Sequence, residues 1–281
     1  MTDVQRLLAD IRELPTLPDV VAQLNRLIVD PRTSAGTVNN VLSRDMALST
    51  RILKLVNSSF YGFPRRITSI TYAVVILGFN KIRDVALSAF AVDAFRFRSS
   101  GLDLRQFWRH ALGVASAAQT LSALGGRARQ EDDAFMAGLL HDVGKAVLAQ
   151  FRPKQFDEAI RKARDENRPL RDTELEVLGY DHAAVGGALL ERWNLPASLV
   201  AATTLHHRPE EAPHGNERLV ALTHFSDILA RSLLLGHSGD ACLPALSPVA
   251  WQHLGFAWPD IENAIPDILV HMERSDSFLG G

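Results

Sequence analysis

A chain of 281 residues with 47% hydrophobic and 22% charged residues has the composition of an ordinary globular protein, built as one large domain or two smaller ones. A net charge of −2 leaves no overall nucleic-acid footprint. The single cysteine, Cys242, excludes an internal disulfide and points to a reducing compartment.

No apolar run has the length and hydrophobicity of a membrane span. The N-terminus lacks a basic stretch followed by an apolar one. A cytoplasmic protein without membrane contact is therefore expected. Charge is uneven along the chain. Residues 1–100 carry 13 Lys/Arg against 8 Asp/Glu, and residues 101–281 carry 17 against 24. A basic first part and an acidic second part suit contact between them, or a partner surface on the first. Solvated helix faces are the plainer reading.

In chain order, Leu14-Pro15-Thr16-Leu17-Pro18 is a stiff, extended entry, because each proline fixes φ and biases its predecessor away from helix. Val20, Val21, Leu24, Leu27 and Ile28 then recur at helical spacing until Asp30-Pro31 ends the run. Thr33 or Ser34 caps a short helix to about Ser43, and Asp45 caps another that breaks at Asn57-Ser58-Ser59-Phe60-Tyr61-Gly62-Phe63-Pro64. Thr68 or Ser69 opens a helix that stops at Leu77-Gly78, where glycine suits a left-handed cap. Asn80 opens the next, to about Phe95. The short helices around Arg44-Asp45 resemble a helix-turn-helix only superficially. A DNA-reading face needs several exposed polar side chains, and only Arg51 and Lys54 are offered. Nucleic-acid binding is not expected.

The character changes at Gly101, which suggests a helical unit over 1–100 and a second over 101–281. Asp103 caps a helix through Leu121 that stops at Gly125-Gly126. Asp132 or Asp133 caps a helix over 134–150, ended by Phe151-Arg152-Pro153. Segments 156–166 and 170–178 are amphipathic. Asp181 starts a helix over 182–193. After the Asn194-Leu195-Pro196 turn, a helix over 197–207 follows, then a loop over 208–216 and a long helix over 217–235. Two short helices around Trp251 and over 261–273 close the pattern, and the polar, glycine-terminated tail is expected to fray.

Five histidines and two aspartates fall inside apolar helical stretches: His110, His141, Asp142, His182, His206, His207 and Asp227. Burying a carboxylate with several imidazoles is costly unless they pair or hold a cation. Such ligands suit Zn, Fe, Mn or Ni rather than Ca. Seven groups exceed the needs of one ion, and a bridging aspartate would account for the excess with two. His141 and Asp142 are adjacent, so they do not share one face of a regular helix. Lys145, four residues after His141, projects from its face and offers a cation to a substrate phosphate. Each residue also has a plain reading: a satisfied core histidine, dipole-favoured cations at His206-His207, or an ion pair from Asp227 to Arg231.

The order His…His-Asp…His…His-His…Asp, with Gly144-Lys145 after the pair, resembles the HD superfamily of all-helical metal-dependent phosphohydrolases. Leu14–Pro18, Arg44-Asp45-Met46-Ala47-Leu48, Leu55–Gly62, Ala73–Gly78, Phe107-Trp108-Arg109-His110, Gly138–Lys145, Leu178–His182, Trp193-Asn194-Leu195-Pro196 and His206-His207-Arg208-Pro209 resemble its HDOD branch, over roughly residues 14–230. The resemblance implies an all-α fold, an N-terminal helical bundle with an HD-like bundle, and a bacterial signalling or regulatory role. It places His110, His141, Asp142, His182, His206, His207 and Asp227 on the metal-ligand positions of the related HD-GYP phosphodiesterases, and Lys145 on their substrate-phosphate lysine. Asp142 and Lys145 are thus the expected catalytic pair of any phosphohydrolase. After His206-His207 the chain runs Arg-Pro-Glu-Glu-Ala-Pro-His-Gly, without a Gly-Tyr-Pro loop, which argues against cyclic-di-GMP hydrolysis of the HD-GYP kind.

Two functions are therefore expected. The first is a signalling protein that works by protein or ligand contact and meets its partner through its own surface. The alternative is a metal-dependent phosphohydrolase acting on a nucleotide or another phosphate-containing small molecule.

Overall fold

The computed structural model describes residues 2–28, 30–58, 61, 63, 65–97, 99, 101–124 and 133–275. All regular structure among these residues is helical, as the periodicity predicts. No helix among them is long and apolar enough to cross a membrane. The expected stop at Gly125-Gly126, the Asp132 cap, part of the break at Ser59-Phe60 and Gly62, and the glycine-terminated tail lie outside the described residues.

The chain divides into two compact units: Pro15–Ala94 with His271–Gly281, and Met1–Leu14 with Phe95–Val270. The sequence placed the break at Gly101. Contacts instead group Phe95 onward, together with the first fourteen residues, in the larger unit.

Helix α1 (Asp3–Asp10) belongs to that larger unit and was not foreseen. Thr2 and Gln5 form a reciprocal capping box at its start, which satisfies two orphan amides. The smaller unit holds α2 (Asp19–Ile28), α3 (Ala35–Leu42), α4 (Met46–Val56) and α5 (Ile70–Ala94). Ser34, Asp45 and Ser69 supply the helix-start bonds to Thr37, Leu48 and Tyr72. Gly78, at φ +81°, breaks α5 into the two pieces that the sequence predicted, because this backbone conformation carries no penalty for glycine. After α4, the Asn57 side chain ties two backbone segments together. Its amide donates to the carbonyls of Leu53 and Ile67 and accepts from the Ile67 amide, each at 2.7 Å.

The larger unit continues with α6 (Leu104–Leu124), α7 (Ala134–Leu140), α8 (Val143–Phe151), α9 (Pro153–Glu166), α10 (Leu170–Leu178), α11 (His182–Arg192), α12 (Ala197–Leu205), a 3₁₀ turn at Pro209–Glu211, α13 (Glu217–Ser232), α14 (Pro248–Leu254) and most of α15 (Trp258–Ser275), whose residues from His271 onward fall in the smaller unit. Asp103 and Asp181 cap α6 and α11 as expected. Asp133 occupies the start of α7 without a cap bond, and its Oδ2 accepts from Ser198 instead. One prediction fails in an informative way. The single helix over 134–150 is two helices, interrupted at His141-Asp142.

Small residues set how closely these helices meet. A Cβ on Gly138 would lie 2.6 Å from the Ala115 backbone of α6. One on Gly144 would run into the His182 carbonyl and lie 2.7 Å from the Gly186 amide of α11. Backbone thus lies against backbone at the two places where ligand-bearing helices cross. Gly144→Ala is expected to cost about 1–3 kcal/mol, the usual cost of overpacking a tight core. Thermal unfolding should show a Tm lower by about 2–4 °C for each kcal/mol; an unchanged Tm would mean that α8 and α11 separate freely.

Candidate metal centre

The seven side chains converge in the larger unit. His110 comes from α6, His141 and Asp142 from the α7–α8 break, His182 from the first residue of α11, His206 and His207 from the end of α12, and Asp227 from α13. The break explains how two adjacent residues serve one site. Asp142 leaves helical geometry at φ −102°, ψ 11°, and as the residue before α8 it makes no side-chain cap bond. Its carboxylate is free to turn inward beside His141.

Asp142 is the common member of two groups. Its oxygen lies with the nitrogens of His182, His206 and His207 in one, and with those of His110 and His141 in the other, all donor atoms of a group within 4.8 Å of one another. Oδ1 stands 3.2 Å from His182 Nε2 and 3.7 Å from His206 Nε2. Oδ2 stands 3.2 Å from His141 Nε2. Asp227 sits on the second side, with Oδ1 3.0 Å from His110 Nε2 and 3.7 Å from His141 Nε2. His110, His141, Asp142 and His182 have no solvent exposure, Asp227 and His206 almost none, and His207 is partly exposed.

Backbone and carboxylate groups fix the imidazole faces. His141 Nδ1 donates to the Gly138 carbonyl at 2.7 Å, and His206 Nδ1 to that of Thr203 at 2.8 Å. Each leaves its Nε2 lone pair directed into the cluster. His182 Nδ1 donates to Glu174 Oε2 at 2.6 Å. Five buried atoms, both ring nitrogens of His110, the Nε2 atoms of His141 and His206, and Asp142 Oδ1, make no hydrogen bond. Orphaned buried polar atoms are costly, and a cation shared among them would meet that cost. Three imidazoles and a carboxylate oxygen fit zinc, iron, manganese or nickel.

The electrostatics agree with this donor set. Burial, followed by the facing His141, pushes His206 down to about 3. Burial and His206 hold His207 well below the usual histidine range, and burial lowers His110 despite Asp227. These rings are neutral at pH 7. For His182 burial acts downward too, but Glu174 and Asp142 outweigh it and hold the ring up to about 9. His182 therefore carries the proton it shares with His207, their Nε2 atoms being 2.9 Å apart; an arriving metal displaces such a proton. Burial acts against the charge on Asp142 and Asp227, yet His141 and Lys145 around the first, and Arg231 and His110 around the second, hold both carboxyls well below the usual carboxylate range.

Lys145 is wholly buried and donates to Asp142 Oδ2 at 2.7 Å. Its partner is the aspartate three residues before it. The ion pair from Asp227 to Arg231, the plain reading of that residue, also forms, at 2.9 Å, while Asp227 faces the histidines as well.

Two contributors, and one further contact of an expected ion pair, escaped the sequence reading. Glu174 lies in the amphipathic segment over 170–178, where it has no exposure and accepts from both the amide and Nδ1 of His182. Its signal was present: Leu170, Thr173 and Glu174, all at 0% exposure, have the spacing of a buried helix face. His224 donates through Nδ1 to the His206 carbonyl and accepts the Ser247 amide at Nε2, tying the ligand turn to the start of α14. Arg231 also reaches Asp240 at 3.3 Å, a contact that no local spacing encodes.

The sequence profile of the HDOD domain family matches residues 14–209. An uncharacterized protein of Treponema pallidum is 30% identical over 224 residues, which is 79% of this chain and 43% of that protein; the chain thus spans less than half the length of this curated relative. An HDOD domain protein of unknown function from Geobacter sulfurreducens has a solved structure with a TM-score of 0.81, 27% identity and 96% coverage of both chains. A Shewanella amazonensis protein named "Putative phosphohydrolase" gives a TM-score of 0.67 and 25% identity, covering 92% of this chain and 97% of its own.

Glu174 provides a direct test of how the site is held. Glu174→Ala leaves the His182 amide and ring without an acceptor in a dry interior and is expected to cost about 3–5 kcal/mol, the range for breaking a buried pair. Glu174→Gln, whose amide oxygen keeps both bonds, should cost less in the same chemical-denaturation measurement. Equal losses would assign the effect to charge alone.

Proposed function

The chain belongs to the HDOD domain family, and from that premise we propose that it is a bacterial regulatory protein that holds a divalent transition metal in a closed centre and acts by contact with a signalling protein partner. The observation that carries this reading is closure. The donor atoms and Lys145 are buried, and only His207 reaches the surface in part. A phosphoester would need a path to the metal and a free cation to receive its phosphate. Lys145 instead gives its ammonium to Asp142.

His182, His206, His207 and Asp142, with His110, His141 and Asp227 on the other face of Asp142, are the residues that would hold metal. A bound ion supplies Lewis acidity toward an oxygen ligand. The chain's part is to orient: Glu174 fixes His182, the Gly138 and Thr203 carbonyls fix His141 and His206, and His224 fixes the turn between the paired histidines.

Contact with a partner is supported by the exposed apolar side chains at the start of α5. Tyr72, Val75 and Ile76 are 50, 66 and 45% exposed and lie on one helix stripe, the kind of grouping that marks an interaction surface. The retained ligands and Lys145 favour one second reading, a phosphohydrolase acting on a phosphate-containing small molecule.

Metal analysis of the full chain purified without chelator, for Fe, Mn, Ni and Zn, followed by assay on bis(p-nitrophenyl) phosphate and nucleotides, separates the two. We expect bound metal without metal-dependent turnover. Chelation should lower Tm by several degrees, since a ligand at a hundredfold its Kd stabilises by about 2.7 kcal/mol. Turnover that follows the metal and disappears in Asp142→Asn would make the protein a phosphohydrolase, and metal-free protein that cannot be reconstituted would remove the centre.

Capture of partners by the tagged full chain tests the surface. The Val75→Glu, Ile76→Glu double variant should lose them while changing stability by no more than about 0.5 kcal/mol per site, as expected of exposed positions. Undiminished capture would place the contact elsewhere.

A further inference from the structure

The smaller unit has a cavity of its own, of about 790 Å³, whose lining shares no residue with the histidine cluster. Sites for small organic molecules run from about 300 to 1,000 Å³. One wall is a single stripe of α4 and its end: Thr50, Leu53, Lys54 and Asn57 recur at helical spacing. The other wall is the segment after the helix, with Phe63 and then Arg66 to Thr68. Asn57 fastens the two together. Its amide group bonds the Leu53 carbonyl and both backbone groups of Ile67, each at 2.7 Å. The residues on either side of Ile67, Arg66 and Thr68, are thereby held against α4 before any ligand arrives.

The lining combines cations, hydroxyls and apolar surface, and it contains no carboxylate. Lys54 and Arg66 are exposed, and neither takes part in an ion pair among the described residues. Residues 15–94 carry nine Lys/Arg against five Asp/Glu, and most of those acids are engaged elsewhere. Asp30 pairs with Arg32, Asp84 with Arg83 and Asp93 with Arg51, while Asp45 caps α4. Thr50 gives its hydroxyl proton to the Met46 carbonyl at 2.8 Å and keeps lone pairs to accept with. Leu53 and Phe63 are half-buried and Ile67 is buried. The Phe63 ring stacks on Tyr61, with centroids 6.3 Å apart and planes 3° apart, which braces it as a flat platform.

We propose that this cavity binds a nucleoside phosphate, with Lys54 and Arg66 on the phosphate and Phe63 and Leu53 against the base. Two cations from opposite walls suit a group with more than one negative charge. The guanidinium offers a phosphate two parallel N–H donors, and the ammonium adds a point charge. A base stacks on an aromatic ring whatever its sequence identity. The proposal does not rest on the metal centre.

The test is calorimetric titration of the full chain, in EDTA so that metal plays no part, with AMP, GMP, CMP, UMP, ATP and GTP. Adenosine and inorganic pyrophosphate serve as the two halves of the ligand. Saturable binding of one nucleotide per chain is expected, weakening as salt rises, with each half bound at least about tenfold more weakly. Lys54→Ala and Arg66→Ala, at exposed positions, should each raise Kd by about tenfold, as expected for losing a hydrogen bond to a charged group. Phe63→Leu should raise Kd for the nucleotide several-fold and leave pyrophosphate unchanged. Absence of binding by all six nucleotides would overturn the proposal. Pyrophosphate bound as tightly as any nucleotide would reduce the cavity to an anion patch and overturn it too. Oligothymidylate bound more tightly than every mononucleotide would make the cavity part of a nucleic-acid groove instead. Nucleotide binding that survives Lys54→Ala and Arg66→Ala and disappears in Asp142→Asn would belong to the histidine cluster. If Phe63→Leu does not fold, the adenosine and pyrophosphate titrations decide the role of the base on their own.

Discussion

Asp142 carries its charge where no water reaches it. An isolated carboxylate in a dry interior is prohibitive, so its presence dictates its surroundings. Lys145 at 2.7 Å, His141 and His182 at 3.2 Å and His206 at 3.7 Å come from the α7–α8 break, α8, α11 and α12. Each of these helices must be placed to within a few tenths of an ångström for the carboxylate to be tolerated. The dependence is mutual, because Lys145 is as buried as Asp142 and would be left as an unpaired charge without it.

Close backbone contact makes such placement possible. Helices that cross through ordinary side chains sit about 8–10 Å apart. Here Gly138 meets the Ala115 backbone, and Gly144 meets His182 and Gly186. Small residues are frequent on α6 and α7: Ala111, Ala115, Ala117, Ala118, Ala134 and Ala137 are all fully buried. With no long side chain between the helices there is little room to slide. The imidazoles are then oriented before any ligand arrives, through bonds to the Gly138 and Thr203 carbonyls and to Glu174.

The helical fold and the membership of the site were legible in sequence for one physical reason: histidine and aspartate stand out at helical positions where apolar residues are the rule. The caps at Ser34, Asp45, Ser69, Asp103 and Asp181 were legible as well, since a cap is a local bond between residues three apart. What escaped was non-local or broke the local rule. The interruption at His141-Asp142 has no proline or other breaker to announce it, because the geometry of Asp142 is fixed by partners on other helices. Glu174 sits on an amphipathic helix, and only the packing of α10 reveals that this carboxylate belongs to the inner face. Helix α1 has little signal of its own, because eight residues with two buried leucines give little periodicity. Its place comes from distant contact, as in the bond from Arg192 to the Leu8 carbonyl.

The same difference between local and non-local information governs how the cluster's charge is read. A sequence reveals groups that attract metal, because His and Asp are conspicuous among leucines. It does not reveal which of those groups are already neutralised. Lys145 lies three residues from Asp142 and Arg231 four from Asp227, spacings equally compatible with exposed helix pairs of slight consequence. In the folded chain both pairs lie inside the ligand cluster, where water does not screen them and where they compete for the oxygens a metal would use. Seven ligand types in the right order therefore point to a cluster of metal-seeking groups without revealing its charge. Charge decides how many cations a closed site admits and whether a buried ammonium is free to receive a phosphate. Oδ2 of Asp142 is held by the Lys145 ammonium at 2.7 Å, and Oδ1 faces the imidazoles of His182 and His206 at 3.2 and 3.7 Å, so the two oxygens of one carboxylate are chemically different.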